Sequence, residues 1–372
     1  MAAAALVVVL VGVGPGCSRP GTDNDSAGGG SVPAAVGDTV GTGATPDVPG
    51  GSGGGSGGPP VTTPSAPVRP AVTPRGSTTE HTIPALDGRD RTYHLYVPAS
   101  LPADRPVPLL VALHGGTGWG TQFEANSGFD GLAEANGFLV AYPDGISIPL
   151  LPNGRVWNGG TCCGPAAADK QNVDDVAFIA AVIDQVEAGQ SVDRTRVFAA
   201  GHSNGAIMSF RLACELADRI VAIGVQAGTL GIDDCHPAAP VAVLEIHGTA
   251  DANIPITGGS GDRGLTSTDF RPPLDTLETF VAADGCPTDS TESVESVDSV
   301  DADVVVDTWA PCDAATAVQW VKVTGANHAW MGHQSASALS GRLVGTPYPG
   351  LDSSLTIWTF LAAHPRPVGS GR

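Results

Sequence analysis

The sequence predicts an α/β fold, with a mostly parallel central sheet and helices on both faces, over residues 80 to 365 of the 372-residue chain. Two observations lead there. Apolar β-branched runs alternate with segments of helical period along this stretch. Several of the runs, such as Leu109-Leu110-Val111-Ala112-Leu113, are continuous rather than alternating. A strand covered by helices on both faces carries such a run, whereas a half-exposed strand alternates. Strands are placed at Arg91–Val97, Pro108–His114, Phe138–Tyr142, Arg196–Ala200, Ile220–Val225, Val241–His247 and Ala317–Val323. Helices are placed between them at Phe123–Asn136, Asp174–Ala188, Asn204–Ala217, Leu274–Ala283 and Ser353–Ala363. In folds of this kind active sites gather at the carboxyl ends of the strands.

The flanks differ in kind. Ala2–Val13 is apolar but shorter than the roughly 20 residues a membrane-spanning helix needs, so residues 1–16 are expected to be a secretory signal peptide. The small-residue run ending at Cys17 resembles the bacterial lipobox, which implies lipidation of Cys17. Residues 17–79 are almost wholly Gly, Ser, Pro, Thr, Ala and Asp, and are expected to form a disordered tether. Residues 366–372 are a short tail. The expected location is therefore extracellular, either free or lipid-anchored to the outer face of the membrane. Setting Cys17 aside leaves six of the seven cysteines, an even number that suits an oxidising compartment, with the connectivity left open. No metal is expected, because no second cysteine pair has zinc-ligand spacing. The net charge of −20, with lysine only at Lys170 and Lys322, argues against nucleic acid and against membrane contact other than the anchor. The acids of Asp289–Asp307 read as a solvated edge or loop.

Gly201-His202-Ser203-Asn204-Gly205 fits the pattern G-x-S-x-G, as do Gly50–Gly54 and Gly54–Gly58 in the tether. Context separates them, since only Ser203 follows a strand and opens a helix. A tight strand-to-helix turn exposes the serine hydroxyl, and the helix N-terminus aims amides and a positive dipole end at it. Ser203 is thus the candidate nucleophile. The loop Leu113-His114-Gly115-Gly116-Thr117 is the matching oxyanion loop. The backbone amides of Gly116 and Asn204 are its expected donors, with Thr117 as the substitute for Gly116, while His114 is read as a structural loop residue. Chain order then asks for an acid and a histidine. Asp251 follows the strand Val241–His247, with Asp262 and Asp269 as alternatives. His328 follows the last strand, with His333 and His364 as rivals.

With those positions fixed, the domain resembles the secreted esterases of the polyhydroxybutyrate-depolymerase and feruloyl-esterase type, related to carbohydrate esterase family 1, which have the α/β-hydrolase fold. The residues that carry the resemblance are Arg91–Pro98, Leu113–Gly116, Ala141–Gly145, Trp157–Gly164, Val173–Val176, Gly201–Gly205, His247–Asp251 and Gly325–Trp330. Met331 departs from it, standing where relatives often have proline. The resemblance implies Ser203, Asp251 and His328 as a catalytic triad and a disulfide between Cys286 and Cys312. Trp157 and Trp330 are candidates for the acyl or aromatic side of the pocket, and Asp174 and Asp175 read as helix N-capping residues. The expected activity is hydrolysis of small or oligomeric carboxylic esters (short hydroxyalkanoate polyesters, acetyl or hydroxycinnamoyl esters) by a monomer without a cofactor. A serine peptidase of the same fold, or a non-catalytic binding protein retaining it, are the alternatives.

Overall fold

The computed structural model describes residues 75–86, 88–148, 151–162, 173–263, 268–296, 303–334 and 338–367. The signal segment 1–16, Cys17 and the tether up to residue 74 lie outside them. The strands are β1 (Ser77–Leu86), β2 (Arg89–Val97), β3 (Val107–Leu113), β4 (Leu139–Pro143), β5 (Ile146–Ile148), β6 (Leu151–Val156), β7 (Val192–His202), β8 (Ala222–Gln226), β9 (Ala242–Gly248), β10 (Thr291–Ser296), β11 (Asp303–Trp309) and β12 (Val318–Val323). The helices are α1 (Gly120–Ser127), α2 (Phe129–Asn136), α3 (Asp175–Gly189), α4 (Asn204–Glu215), α5 (Pro273–Ala283), α6 (Ala338–Val344) and α7 (Ser353–Ala363).

Ten strands form one sheet in the order β1-β2-β4-β3-β7-β8-β9-β12-β11-β10. From β4 to β12 every neighbouring pair is parallel, and antiparallel strands close both edges. This is the doubly covered architecture of the α/β-hydrolase fold. Strand β3 accounts for its own continuous apolar run. Its Leu109, Val111 and Leu113 enter a core with Phe178 and Ile183 of α3 and Phe280 of α5. The alternate residues Leu110 and Ala112 enter a second core with Phe129 of α2 and Trp358 of α7.

All seven expected strands are present, shifted by a few residues at their ends. The expected helix Phe123–Asn136 is instead two helices, because Gly128 adopts φ 77° between them. Gly has no Cβ to resist that left-handed conformation, so the chain turns there. Strand β1 was not expected, and the boundary placed between residues 79 and 80 falls inside it. The acidic stretch Asp289–Asp307 supplies the edge hairpin β10–β11, where Asp307 meets Lys322 of β12 at 2.8 Å. Cys286 is bonded to Cys312, closing the end of α5 onto the turn before β12, and Cys214 to Cys235, closing α4 onto the segment after β8. Cys162 is disulfide-bonded as well.

Candidate active site

Ser203 lies between β7 and α4 with φ 55° and ψ −120°, a backbone conformation that costs a non-glycine residue about 1–3 kcal/mol. Its neighbours allow the turn to close. A Cβ on Gly201 would sit 2.2 Å from the carbonyl oxygen of Gly205, and one on Gly205 would sit 2.3 Å from that of Leu113. The Ser203 amide donates to the carbonyl of Gln226 at the end of β8 (3.0 Å), which holds the turn against the next strand.

His328 follows β12 and Asp251 follows β9, which is paired with β12, so the sheet brings the two together across 77 residues of sequence. His328 Nδ1 lies 2.7 Å from Asp251 Oδ2, and His328 Nε2 lies 2.8 Å from Ser203 Oγ. The carboxylate fixes a proton on Nδ1 and leaves the Nε2 lone pair to accept the serine hydroxyl. The other carboxylate oxygen accepts the amides of Asn253 (2.8 Å) and Ile254 (2.9 Å). Burial alone would raise the Asp251 carboxyl. The charge and hydrogen bond of His328, with His247 and the Ile254 amide, hold it below its ordinary value. The rivals lie elsewhere. Asp262 and Asp269 are exposed, His333 pairs with Asp352 at 3.0 Å, and His364 bonds the Phe360 carbonyl of its own helix at 2.7 Å.

The predicted oxyanion loop packs directly on the turn, since a Cβ on Gly116 would lie 3.6 Å from Asn204 Cβ. Among the described residues, the amides of Gly116 and Asn204 make no backbone hydrogen bond, whereas the Thr117 amide donates to the Arg155 carbonyl at 2.8 Å. The Thr117 amide is therefore committed to Arg155. His114 orients the loop. Its Nδ1 donates to the Gly115 carbonyl (2.8 Å) while its Nε2 accepts the Gly145 amide (3.0 Å). In a trans peptide the carbonyl and the following N–H point opposite ways, so holding the Gly115 oxygen aims the Gly116 amide the other way. Burial lowers the His114 pKa to about 4, which keeps the ring in the neutral form this clamp needs.

The two tryptophans named for the pocket are both buried. Trp157 is 0% exposed, and its Nε1 donates to the His114 carbonyl at 3.0 Å. Asn204 clamps the Trp157 backbone from both sides, accepting its amide at 2.7 Å and donating to its carbonyl at 3.1 Å. Trp330, 8% exposed, donates to Ser354 Oγ and meets Phe123 and His202 edge-on. Both rings brace the site from within. The apolar side chains grouped beside Asn204 and Asp251 are Cys162, Ile207, Ile254 and Phe270. Asp174 caps α3 through the Ala177 amide, but Asp175 does more than open the helix, since it is fully buried against Arg91 at 2.6 Å.

Three supports escaped the sequence reading. The Gln226 side chain donates to the Ala329 carbonyl (2.8 Å) and accepts the Met331 amide (3.1 Å), so it spans the His328 loop. His202 Nε2 donates to the His328 carbonyl at 2.7 Å. Glu245 and His247 form a buried pair on β9. Only the last left a trace, as two ionisable residues in an otherwise apolar strand.

Residues 91–256 match the esterase PHB depolymerase family. The segment with that match holds Gly116, Ser203, Asn204 and Asp251, and it ends before His328. The chain is similar to feruloyl esterase B of Piromyces equi, 34% identical over 44% of this chain and 29% of that protein. It is also similar to the bifunctional acetylxylan esterase/xylanase of Neocallimastix patriciarum, 24% identical over 65% of this chain and 31% of that protein. Feruloyl esterase C of Emericella nidulans is 34% identical over 55% of this chain and 65% of that protein. The chain thus spans about a third of the length of the first two relatives and about two thirds of the third.

Proposed function

We propose that the chain is an extracellular serine carboxylic-ester hydrolase, exported by residues 1–16 and held by Cys17 and the 17–79 tether, with Ser203, His328 and Asp251 as its triad. The observation that carries the reading is the unbroken chain of hydrogen bonds from Ser203 Oγ through His328 to Asp251. His328 Nε2 takes the Ser203 proton as Oγ attacks the ester carbonyl, and Asp251 stabilises the imidazolium that forms. The oxyanion accepts the amides of Gly116 and Asn204, each worth roughly 3–4 kcal/mol in such sites. The imidazolium then protonates the departing alkoxide and leaves an acyl-serine. A water gives its proton to His328, attacks the acyl carbon and frees the acid, with Ser203 regaining its proton. Short hydroxyalkanoate, acetyl and hydroxycinnamoyl esters are the substrates this reading favours, and the names of the relatives support the last two.

Treating the protein with a fluorophosphonate and mapping the adduct by mass spectrometry tests the reading. Modification of Ser203, abolished in Ser203→Ala together with turnover of short p-nitrophenyl esters, is expected. Labelling at another residue would sink the triad.

A further inference from the structure

Strand β9 carries two ionisable side chains that this ester chemistry does not use. Glu245 and His247 are both fully buried, and their spacing of two places them on one face of the sheet. His247 Nδ1 lies 2.8 Å from Glu245 Oε1, and His247 Nε2 donates to the Ile254 carbonyl at 2.9 Å. Glu245 Oε1 also accepts the Gly228 amide at 3.2 Å, while Glu245 Oε2 is buried without a hydrogen-bond partner. His247 Nε2 is 3.7 Å from Asp251 Oδ2, the oxygen that holds His328. Ile254, held by His247 at its carbonyl oxygen, donates its own amide to Asp251 Oδ1 at 2.9 Å. His247 therefore reaches Asp251 twice, across space at one oxygen and through the Ile254 backbone at the other.

Stability does not account for the pair. Taking a carboxylate and an imidazole out of water is unfavourable unless their attraction offsets it, and apolar residues of similar volume generally serve as well or better. The other residues of this strand are all apolar or glycine, Ala242, Val243, Leu244, Ile246 and Gly248. Proton counting is equally direct. A carbonyl only accepts, so Nε2 of His247 carries a proton. Burial opposes a second proton on the ring and raises the Glu245 carboxyl to about 7, but the hydrogen bond and charge of Glu245, with the charge of Asp251, raise the affinity of the ring above that of an ordinary histidine. No ionisable residue of β8 faces the pair. On β12, Lys322 is opposite His247 in register and is committed to Asp307 at 2.8 Å.

We propose that His247, held as an imidazolium by Glu245, is a positioning residue that keeps Asp251 ionised and sets the 251–254 turn so that Oδ2 meets His328. The proposal rests on the triad reading above. It makes a signed prediction, because a positive charge beside Asp251 weakens the hold of that carboxylate on protonated His328. Removing it is expected to move the acid limb of the pH–rate profile upward.

The test is the pH dependence of kcat/KM for a short p-nitrophenyl ester, measured on the full chain and normalised to fluorophosphonate-reactive sites. In His247→Gln the acid limb is expected to move up by about half a pH unit, and in Glu245→Gln in the same direction. A purely structural pair would lower thermal stability and leave the limb in place, and that result overturns the proposal. Should neither variant fold, the wild-type protein labelled with 15N-histidine decides. Both ring nitrogens of His247 protonated above pH 7 supports the proposal, and a neutral ring overturns it. A chain that does not label at Ser203 overturns the triad reading with it, whereas normal labelling with an unmoved limb overturns this proposal alone.

Discussion

Replacing Gln226 with leucine keeps the volume at a fully buried position and removes every polar contact of the side chain. The Ala329 carbonyl loses its donor, and the Met331 amide and the Ser353 hydroxyl lose their acceptor. All three residues are buried, at 1%, 0% and 0% exposure, so water does not readily replace the lost partner. A buried polar group left unpaired costs about 1–3 kcal/mol, and the serine hydroxyl can rotate to relax part of its share, so the expected loss of stability is about 3–6 kcal/mol. The contacts bracket His328, whose carbonyl accepts from His202 on its other side. A misplacement of about 1 Å at a reacting group can cost on the order of 100-fold, and kcat per labelled serine should fall accordingly. Urea unfolding at fixed pH and ester turnover of the same samples measure the two effects. Gln226→Glu refines the test, because a protonated carboxyl can donate to the Ala329 carbonyl and a carboxylate cannot, so activity should partly return as pH falls. A leucine variant less than 1 kcal/mol weaker with unchanged kcat would refute the argument that Gln226 holds the loop.

Asp251→Asn should leave the fold in place and reduce kcat by roughly 10⁴, since the amide allows the wrong His328 tautomer, with KM little changed. Gly205→Ala drives a methyl group to 2.3 Å from the Leu113 carbonyl and 2.5 Å from that of His114, so soluble protein should be inactive and circular dichroism should show a lower melting temperature. Burial depresses His114 to about 4 and His202 to about 3, from 6.5. The unfolded chain therefore binds protons first as pH falls. The stability present above pH 6.5 should drain away below it, by on the order of 3 kcal/mol for His114 alone, as a falling urea midpoint would record. Losing the Cys214–Cys235 bond, which closes a separation of 21 residues, should cost about 2–4 kcal/mol in the double serine variant.

Much of the parallel sheet was legible because its strands are buried on both faces, and burial writes itself into sequence as an unbroken apolar run such as Val107–Leu113. The order Ser203, Asp251, His328 was legible for a related reason, since each residue follows the carboxyl end of a recognisable strand. Strand β1 and the hairpin β10–β11 were harder to read. They lie at the sheet edges, where one face meets solvent and the residues can be Thr, Glu, Ser and Asp. The break at Gly128 was missed because apolar residues on either side keep a helical period while one residue turns left-handed.

What the sequence by itself determined is the set of candidate reacting groups and the turn that presents the serine, because that turn depends on local backbone chemistry at Gly201, Ser203 and Gly205. What only the tertiary structure decided is the layer behind them. Trp157 turned out to brace the predicted oxyanion loop, Thr117 to spend its amide on Arg155, and Gln226 and His202 to hold the segment around His328 in place. Each of these roles is a contact between residues far apart in the chain, made possible by the order in which β3, β7, β8, β9 and β12 pair. A side chain's partner is set by that pairing, and no local signal in the sequence records it.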